Sequence, residues 1–207
     1  MDRHVTIELH HGDLPAGLGF GDSVAIDTET MGLRPGRDRL CLVQLSAGDG
    51  NAHIVQLPKG EYEAPNLRAL LTDPAVTKLF HFGRFDIAVL QRYLGVACRP
   101  VYCTKIASKL TRTFTDRHGL KDLCRELLGI AISKEQQSSD WGADELTEAQ
   151  LTYAASDVLH LHKLRIELDR MLEREGRAAL AAKCFDFLPT RADLDLAGWP
   201  EIDIFEH

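Results

Sequence analysis

Short runs of apolar and β-branched residues alternate with turn residues along the first third of the chain. These runs lie at 5–9, 24–27, 40–46 and 52–55, and segments such as GDGN at 48–51 separate them. Such a pattern predicts strands joined by turns. We expect these four strands to form an antiparallel meander.

Farther along the chain the apolar positions adopt helical spacing. The pattern predicts helices at 66–71 and 85–94, and strands at 77–81 and 101–103. Strands that alternate with helices add parallel strands to a sheet. The expected fold class is therefore α/β, with a mixed sheet of five or six strands flanked by helices.

The C-terminal part, from Gly119 onward, is predicted to be mostly helical. One helix covers 120–128 and ends at Gly129, and a capping box, TEAQ at 147–150, begins a second helix that runs towards Arg174. The stretch SKEQQSSDWG at 133–142 is too polar to pack by itself, so we expect a loop close to a functional site.

Composition narrows the class of protein. A chain of 207 residues with 44% hydrophobic content fits one domain spanning 1–207. No run approaches the roughly eighteen apolar residues that cross a bilayer, and the first residues lack the basic-then-apolar order of a signal peptide. We therefore expect a cytoplasmic protein with no membrane partner.

Cysteine and histidine positions indicate neither disulfides nor a zinc motif. The five cysteines form no CxxC pair, so we expect reduced core residues. The nine histidines include the pairs His10 and His11, and His160 and His162, but no set has metal-ligand spacing along the chain. Each is better interpreted as a surface or hydrogen-bonded core residue.

Net charge bears on nucleic-acid binding. The formal charge of −7 contrasts with the basic surface that usually neutralises phosphates. Either the acidity is a solvated surface, or the protein holds only a short stretch of nucleic acid through metals and local basic groups. The candidates for such groups are Arg34, Arg37, Arg39, Arg112, Arg117, His118 and Lys121.

Three acidic motifs are candidates for a catalytic or metal-binding site. Asp27 and Glu29 end the apolar run at 24–26, two residues apart, so they point to the same side of a strand and can reach one metal centre. Asp86 lies in the apolar helical segment at 84–90, and Tyr153 and Asp157 lie one turn apart on a later helix. Singly, each motif has an ordinary explanation: solvated turn acids, a helix N-terminal acid, and a half-buried tyrosine beside a surface acid.

In combination, the three motifs resemble the ribonuclease D-like branch of the DEDD exonucleases, the branch with a tyrosine in its last motif. The resemblance extends from about residue 23 to about 164. It is carried by VAIDTETMGL (24–33), LCLVQLS (40–46), LFHFGRFDIAVL (79–90), KEQQSSDW (134–141) and YAASDV (153–158). It implies a ribonuclease H-like fold with a core at about 23–170.

The resemblance also implies the roles of the site residues. Asp27, Glu29, Asp86 and Asp157 would be catalytic ligands of two divalent cations, Mg²⁺ or Mn²⁺, and Tyr153 would orient the attacking water. Phosphodiester hydrolysis suits two metal ions, and hard ions prefer carboxylate oxygens. Tyrosine, with a reference pKa near 10, is a poor base at neutral pH, so water positioning suits it better.

Four further residues are expected to contact the substrate: Thr28, Leu33, His81 and Phe85. Leu33 follows the turn at Gly32, a few residues after the first two acids. Its side chain could wedge against the last two bases, as stacking platforms do. The alternative is an ordinary core leucine after a turn.

The sequence departs from the usual ribonuclease D pattern in two places. GADEL follows Trp141 where many relatives carry Arg-Pro-Leu, and Cys103-Thr104 stands where Asp-Thr is common. The 207 residues also hold no counterpart of the additional helical domains of ribonuclease D, so a tRNA-trimming role is not expected.

The tail at about 185–207 resembles that of the single-domain bacterial nanoRNase C group, which implies degradation of very short RNA and assembly as rings of eight. Its apolar residues either lie at a subunit contact or fold back on their own chain. They are Leu194, Leu196, Trp199, Ile202 and Phe205.

The leading hypothesis is a 3′→5′ exoribonuclease acting on short oligoribonucleotides, dinucleotides included, in a homo-oligomer. A second hypothesis is an exonuclease on longer RNA or on DNA. A third is a catalytically silent nucleic-acid-binding module, against which the intact set of five residues argues, because four convergent acids would repel the ligand.

Overall fold

The computed structural model describes residues 5–133, 135–136 and 138–207. Its centre is a six-stranded sheet with the order β1-β4-β3-β2-β5-β6. The strands are β1 (Ile7–His11), β2 (Ser23–Thr30), β3 (Leu40–Ser46), β4 (Ala52–Gln56), β5 (Thr77–Phe80) and β6 (Val101–Cys103). The mixed α/β class and the strand positions predicted from the sequence are confirmed.

The pairing of strand β1 differs from the expected four-stranded antiparallel meander. Strands β2, β3 and β4 form the predicted antiparallel meander. Strand β1, however, pairs parallel with β4, with Glu8 opposite His53. The segment at 12–22 carries the chain back across the sheet, where Leu14 and Phe20 are buried in the core. Because of this crossover, β1 and β2 follow each other in sequence but are not adjacent in the sheet.

Helices cover both faces of the sheet and form the C-terminal part. They are α1 (Pro65–Thr72), α2 (Arg84–Leu94), α3 (Thr104–Thr111), α4 (Leu120–Leu123), α5 (Glu148–Ser156), α6 (Leu161–Arg174) and α7 (Ala178–Leu196). A π-helical turn at Cys124–Leu128 continues α4. It ends at Gly129, as predicted, where φ is +69°.

The predicted helix from 147 towards 174 is wrong in one respect, because it breaks into α5 and α6. The break lies at 157–160, where the amides of Val158 and Leu159 both bond to the carbonyl of Ala155. The hydroxyl of Ser156 donates to the carbonyl of Tyr153 at 2.7 Å. Such back-bonding competes with the helical ladder and bends helices.

The core confirms the expectation for the cysteines. All five are free, and four are buried: Cys41, Cys98, Cys103 and Cys124. Cys184 is partly exposed.

The hydrophobic core consists of a large cluster of buried side chains and a smaller one around Trp141, and β3 is buried along its whole length. The sheet therefore holds the residues at its strand ends rigidly.

The C-terminal helix folds back on its own chain. Phe185 and Leu188 are buried, and the guanidinium of Arg84 donates to both carboxylate oxygens of Asp195 at 2.6 and 2.7 Å. Leu196 also packs on the core. Beyond the helix the apolar side chains are exposed, at Trp199, Ile202, Ile204 and Phe205.

Two further expectations concern loops and membranes. The described residues of the polar stretch at 133–142 form turns rather than a helix or strand, and Lys134 and Gln137 lie outside the described residues. Among the described ranges, no helix combines the length and apolar character needed to cross a membrane.

Candidate active site

An open cleft of about 820 Å³ lies where β2, α2 and α5 meet, and the three acidic motifs line it. Strands β2 and β5 are parallel neighbours, so their carboxyl ends lie at the same edge of the sheet. Asp27 and Glu29 lie at the end of β2, and β5 leads through three residues into α2, which carries Asp86. The predicted meeting of these motifs is therefore a consequence of the topology.

Three of the acids approach closely enough to share a cation. One carboxylate oxygen from each of Asp27, Glu29 and Asp157 lies within 4.8 Å of the others. Asp157 reaches this position because it caps the C-terminal end of α5. Hard divalent cations take oxygen ligands in such an arrangement.

Asp86 completes the group from the first turn of α2. It is only 5% exposed, and the hydroxyl of Thr28 donates to its Oδ1 at 2.6 Å. This hydrogen bond fixes the direction of the carboxylate between two elements that are 58 residues apart in sequence. The N-terminal position on a helix also favours negative charge.

The four carboxylates repel one another in the metal-free protein. Burial, followed by the charges of Asp86, Asp157 and Glu29, raises the pKa of Asp27 well above its usual value. Burial and the charges of Asp157 and Asp86 raise the pKa of Glu29 to about 9. Burial raises the pKa of Asp86 to about 6, against the hydrogen bond from Thr28. The set therefore requires protons or cations, and divalent cations fit its all-oxygen chemistry.

Tyr153 lies beside these acids and stays protonated. Burial, followed by the charges of Asp157, Glu29 and Asp27, raises the pKa of its phenol. Its ring packs against Trp141, with 5.9 Å between ring centroids. A protonated phenol cannot act as a base, but it can hold a water molecule by hydrogen bonding.

The predicted capping box anchors the helix that carries Tyr153. The side chain of Thr147 accepts from the backbone of Gln150, and the Gln150 side chain accepts from the backbone of Thr147. Gln150 also donates to the carbonyl of Asp140 at 3.1 Å. Gln150 thus connects α5 to the loop that precedes it by hydrogen bonds.

Leu33 lies at the rim of the cleft with 87% of its surface exposed. The alternative interpretation, an ordinary core leucine, is therefore wrong. The turn is ordered, because the backbone amide of Arg34 donates to Asp38 at 3.0 Å. A side chain at Gly32 would overlap the carboxylate of Asp38. The turn thus presents an apolar side chain to solvent beside the acids.

The other three expected substrate contacts also line the cleft. His81 and Phe85 are partly exposed there, and Nδ1 of His81 lies 2.9 Å from the hydroxyl of Thr104. Thr28 is buried, and its hydroxyl contacts Asp86. Contact between these residues and a substrate stays a prediction.

Several residues of the cleft lining were not predicted from the sequence, among them Lys105 and Phe82. Lys105 places its ammonium 3.8 Å from the ring centroid of Phe82, and Phe82 is half exposed with a φ of 65°, unusual for a non-glycine residue. Lys105 could have been found, because β6 is parallel to β5 and ends at the same sheet edge. Phe82 lies in the loop between β5 and α2, and no pattern singled it out.

The basic candidates divide into structural and accessible groups. Arg112 is buried, bonds to Glu126, and donates to the carbonyl of Arg117 at 2.7 Å. Arg39 donates to the carbonyls of Leu57 and Gly142. Those two arginines therefore stabilise the fold. The accessible candidate that lines the cleft is Lys121, with Lys105 as a second cation. The others lie outside the cleft lining: Arg34, Arg37, Arg117 and His118.

Relatives share this architecture. Ribonuclease D of Gluconacetobacter diazotrophicus is 40% identical over 154 residues, 74% of this chain and 39% of that protein. The chain thus spans about two fifths of that relative. The structure of Brucella melitensis NrnC bound to pGG has a TM-score of 0.95 and 60% identity, covering 98% of this chain and 99% of that one. The same protein has been solved with bound Mg²⁺.

A less similar solved structure and a protein-family model also match this chain. Escherichia coli RNase D, described as an exoribonuclease involved in structured RNA processing, aligns with a TM-score of 0.72 and 28% identity over 83% of this chain and 45% of that one. The family described as 3'-5' exonuclease matches residues 5–173. The chain, with the ribonuclease H-like fold of these relatives, therefore belongs to the 3′–5′ exonuclease family.

Proposed function

We propose that this enzyme degrades short oligoribonucleotides, dinucleotides included, from their 3′ ends by a two-metal mechanism. The observation that carries the proposal is the cleft itself, where four carboxylates converge beneath one exposed leucine. Asp27, Glu29, Asp86 and Asp157 would hold two divalent cations, Mg²⁺ or Mn²⁺. A longer RNA, or DNA, is the competing substrate.

Bound cations would supply charge stabilisation for the attacking water, the phosphoryl oxygens and the leaving alkoxide. The residues of the chain do the positioning. Tyr153 holds the attacking water in line with the phosphorus, and its raised pKa keeps the phenol a hydrogen-bonding group. Thr28 fixes Asp86. Lys105 and Lys121 line the cleft and would attract the phosphates.

The exposed leucine of the cleft and the net charge of the chain support a preference for short substrates. Leu33 would stack on or between the last two bases, which gains contact area without reading sequence. A net charge of −7 favours a substrate that releases few counterions and needs no extended basic track. The Brucella protein, similar along almost the full chain, was solved bound to pGG, which supports the proposal.

A time course with matched 5′-labelled RNA and DNA of two to about twenty nucleotides tests it. We expect 3′ shortening of the labelled strand to be fastest with the shortest RNAs, to require Mg²⁺ or Mn²⁺, and to stop with chelator. The Asp157→Ala protein is the control for contaminating nucleases. An enzyme that ignores dinucleotides and degrades long strands would move the competing hypothesis into first place.

We also propose that the protein assembles as a homo-oligomer, a closed ring of eight. The exposed side chains of Trp199, Ile202 and Phe205, together at one end of the chain, support it. Light scattering coupled to size exclusion measures the mass. A monomer at micromolar concentration would remove the ring. A Trp199→Ser, Phe205→Ser double variant should lower the mass of an assembly that uses this tail.

A further inference from the structure

We propose that Glu8, His10 and His53 form a second metal site, selective for Zn²⁺-type cations, at the edge of the sheet. None of the three lines the carboxylate cleft. One ring nitrogen of each histidine and one carboxylate oxygen form a group in which all three atoms lie within 4.8 Å of one another. The site is independent of the proposed nuclease substrate.

Strand pairing brings the three residues together. Glu8 and His10 lie two residues apart on β1 and so point to the same face of the sheet. His53 lies on β4, directly opposite Glu8 in the parallel register. His10 and His53 are 43 residues apart in sequence, so the spacing of histidines along the chain could not reveal the set.

The distances suit a small divalent cation. Nε2 of His10 lies 3.1 Å from Nδ1 of His53, and Oε2 of Glu8 lies 4.0 and 3.7 Å from these nitrogens. A point equidistant from three atoms so spaced lies about 2.1 Å from each, which is the usual length of a Zn–N or Zn–O bond. That point lies in the plane of the three atoms, so a tetrahedral ion requires the exposed Glu8 carboxylate to move roughly 0.5 Å closer to the two histidines.

The donor set is that of zinc rather than magnesium. Two imidazoles and one carboxylate leave the fourth tetrahedral position for water. The histidine side chains are 12% exposed and that of Glu8 is 53% exposed, so the ion could enter from the Glu8 side. The ring of Phe20 packs edge-on against His53, at 5.6 Å between centroids.

Without an ion, the two imidazoles share a hydrogen bond. Their centroids lie 5.4 Å apart and their planes differ by 17°, so the two nitrogens face each other between nearly coplanar rings. Binding would replace this hydrogen bond and turn each ring by tens of degrees towards the ion. Burial, followed by the charge of His53, lowers the pKa of His10, which keeps its imidazole neutral, as a ligand must be.

The bound ion would join two strands. Strand β1 is at the edge of the sheet, and its hydrogen-bonded neighbour is β4. A cation held by both strands would oppose the fraying of this edge, and so would stabilise the folded protein by an amount that rises with the logarithm of the ion concentration relative to its dissociation constant.

Zinc titration in excess Mg²⁺ tests the site. The parent would be an Asp157→Asn protein, in which the carboxylate centre is weakened, so that the remaining zinc binding reports on the histidines. Calorimetry should show one Zn²⁺ per chain, and Co²⁺ should give the visible absorption of tetrahedral coordination. His53→Asn, added to this background, should weaken binding on the order of tenfold or more. His11→Asn is the matched control, because His11 is exposed on the same strand.

Two further measurements separate ligand loss from misfolding. Glu8→Gln, at an exposed position, should also weaken zinc binding and reduce the rise in unfolding temperature that Zn²⁺ gives the parent. In the background with Asp157 intact, His53→Asn should retain its Mg²⁺-dependent nuclease rate. The proposal is overturned if the parent binds no zinc under excess Mg²⁺, or if His53→Asn and His11→Asn bind it equally.

Discussion

Replacing Glu29 by glutamine should stabilise the metal-free protein while removing most of its activity. The pKa of Glu29 is raised to about 9 in the folded chain, first by burial and then by Asp157 and Asp86. Glutamine has nearly the same shape but no charge. The substitution therefore relieves the electrostatic cost of the site and removes one expected metal ligand at the same time.

The size and sign of the effect follow from proton linkage. A carboxyl whose folded pKa is raised contributes stability below its unfolded pKa of 4.5 and loses that contribution as pH rises towards 9. At pH 7 the difference spans about 2.5 pKa units, or about 3 kcal/mol. For a chain of this size that corresponds to a rise of on the order of 6–12 °C in unfolding temperature. Part of the shift comes from the charges of Asp157 and Asp86, which stay in the variant, so about 3 kcal/mol is the largest gain expected.

Thermal unfolding followed by circular dichroism, in chelator, measures the gain at about pH 5, 7 and 8.5. We expect a difference below about 1 kcal/mol at pH 5 that grows at each higher pH. Glu173→Gln, at an exposed position on α6, is the control for the loss of one negative charge. Adding Mg²⁺ should stabilise the parent more than the Glu29→Gln protein, since the parent binds the ion more tightly.

A metal-free Glu29→Gln protein that is no more stable than the parent at pH 7, or that gains the same stability at all three pH values, would contradict the raised pKa of Glu29. A variant that keeps the parental nuclease rate would also contradict the assignment of Glu29 as a metal ligand.

Four other substitutions test the cleft. Replacing any one of the four carboxylates by alanine, as in Asp157→Ala, should abolish most nuclease activity with a folded circular dichroism spectrum, because one missing ligand disrupts a shared metal centre. Tyr153→Phe should lower kcat with a smaller change in KM in steady-state assays, since it loses only the orientation of water. Leu33→Ala should lower kcat/KM on a dinucleotide more than on an RNA of about ten nucleotides, by on the order of 1–3 kcal/mol, and equal losses would contradict the wedge. Thr28→Val should shift the acidic limb of the pH–rate profile to higher pH, because Asp86 loses the hydrogen bond that opposes the rise of its pKa.

Local patterns predicted most of the helices and strands and the positions of the candidate acids on them. The spacing of Asp27 and Glu29 and the capping box at Thr147 are properties of a few neighbouring residues, and the structure has them as predicted. The end of a helix at Gly129 is of the same kind. Such features follow from backbone geometry and local hydrogen bonds, which a short stretch of sequence fixes.

Other features of the fold and of the cleft depend on long-range packing. The parallel pairing of β1 and the position of Lys105 depend on partners distant along the chain. Residue type alone suggested that Arg112 could bind a phosphate, but the fold buries it against Glu126. Residue type likewise left Leu33 either buried or exposed, and only the ordered turn around Asp38 places it at the rim of the cleft.

The α/β class, most of the elements and the candidate carboxylates could therefore be predicted from the sequence, because these depend on periodicity and on motifs of a few residues. The tertiary structure decided which carboxylates come within reach of one another, how strongly burial and neighbouring charges raise the pKa of Glu29, and which basic side chains are accessible. It also brought His10 and His53 together from two strands. The physical reason is that burial and proximity arise from strand order and helix packing, which no single segment of the chain encodes.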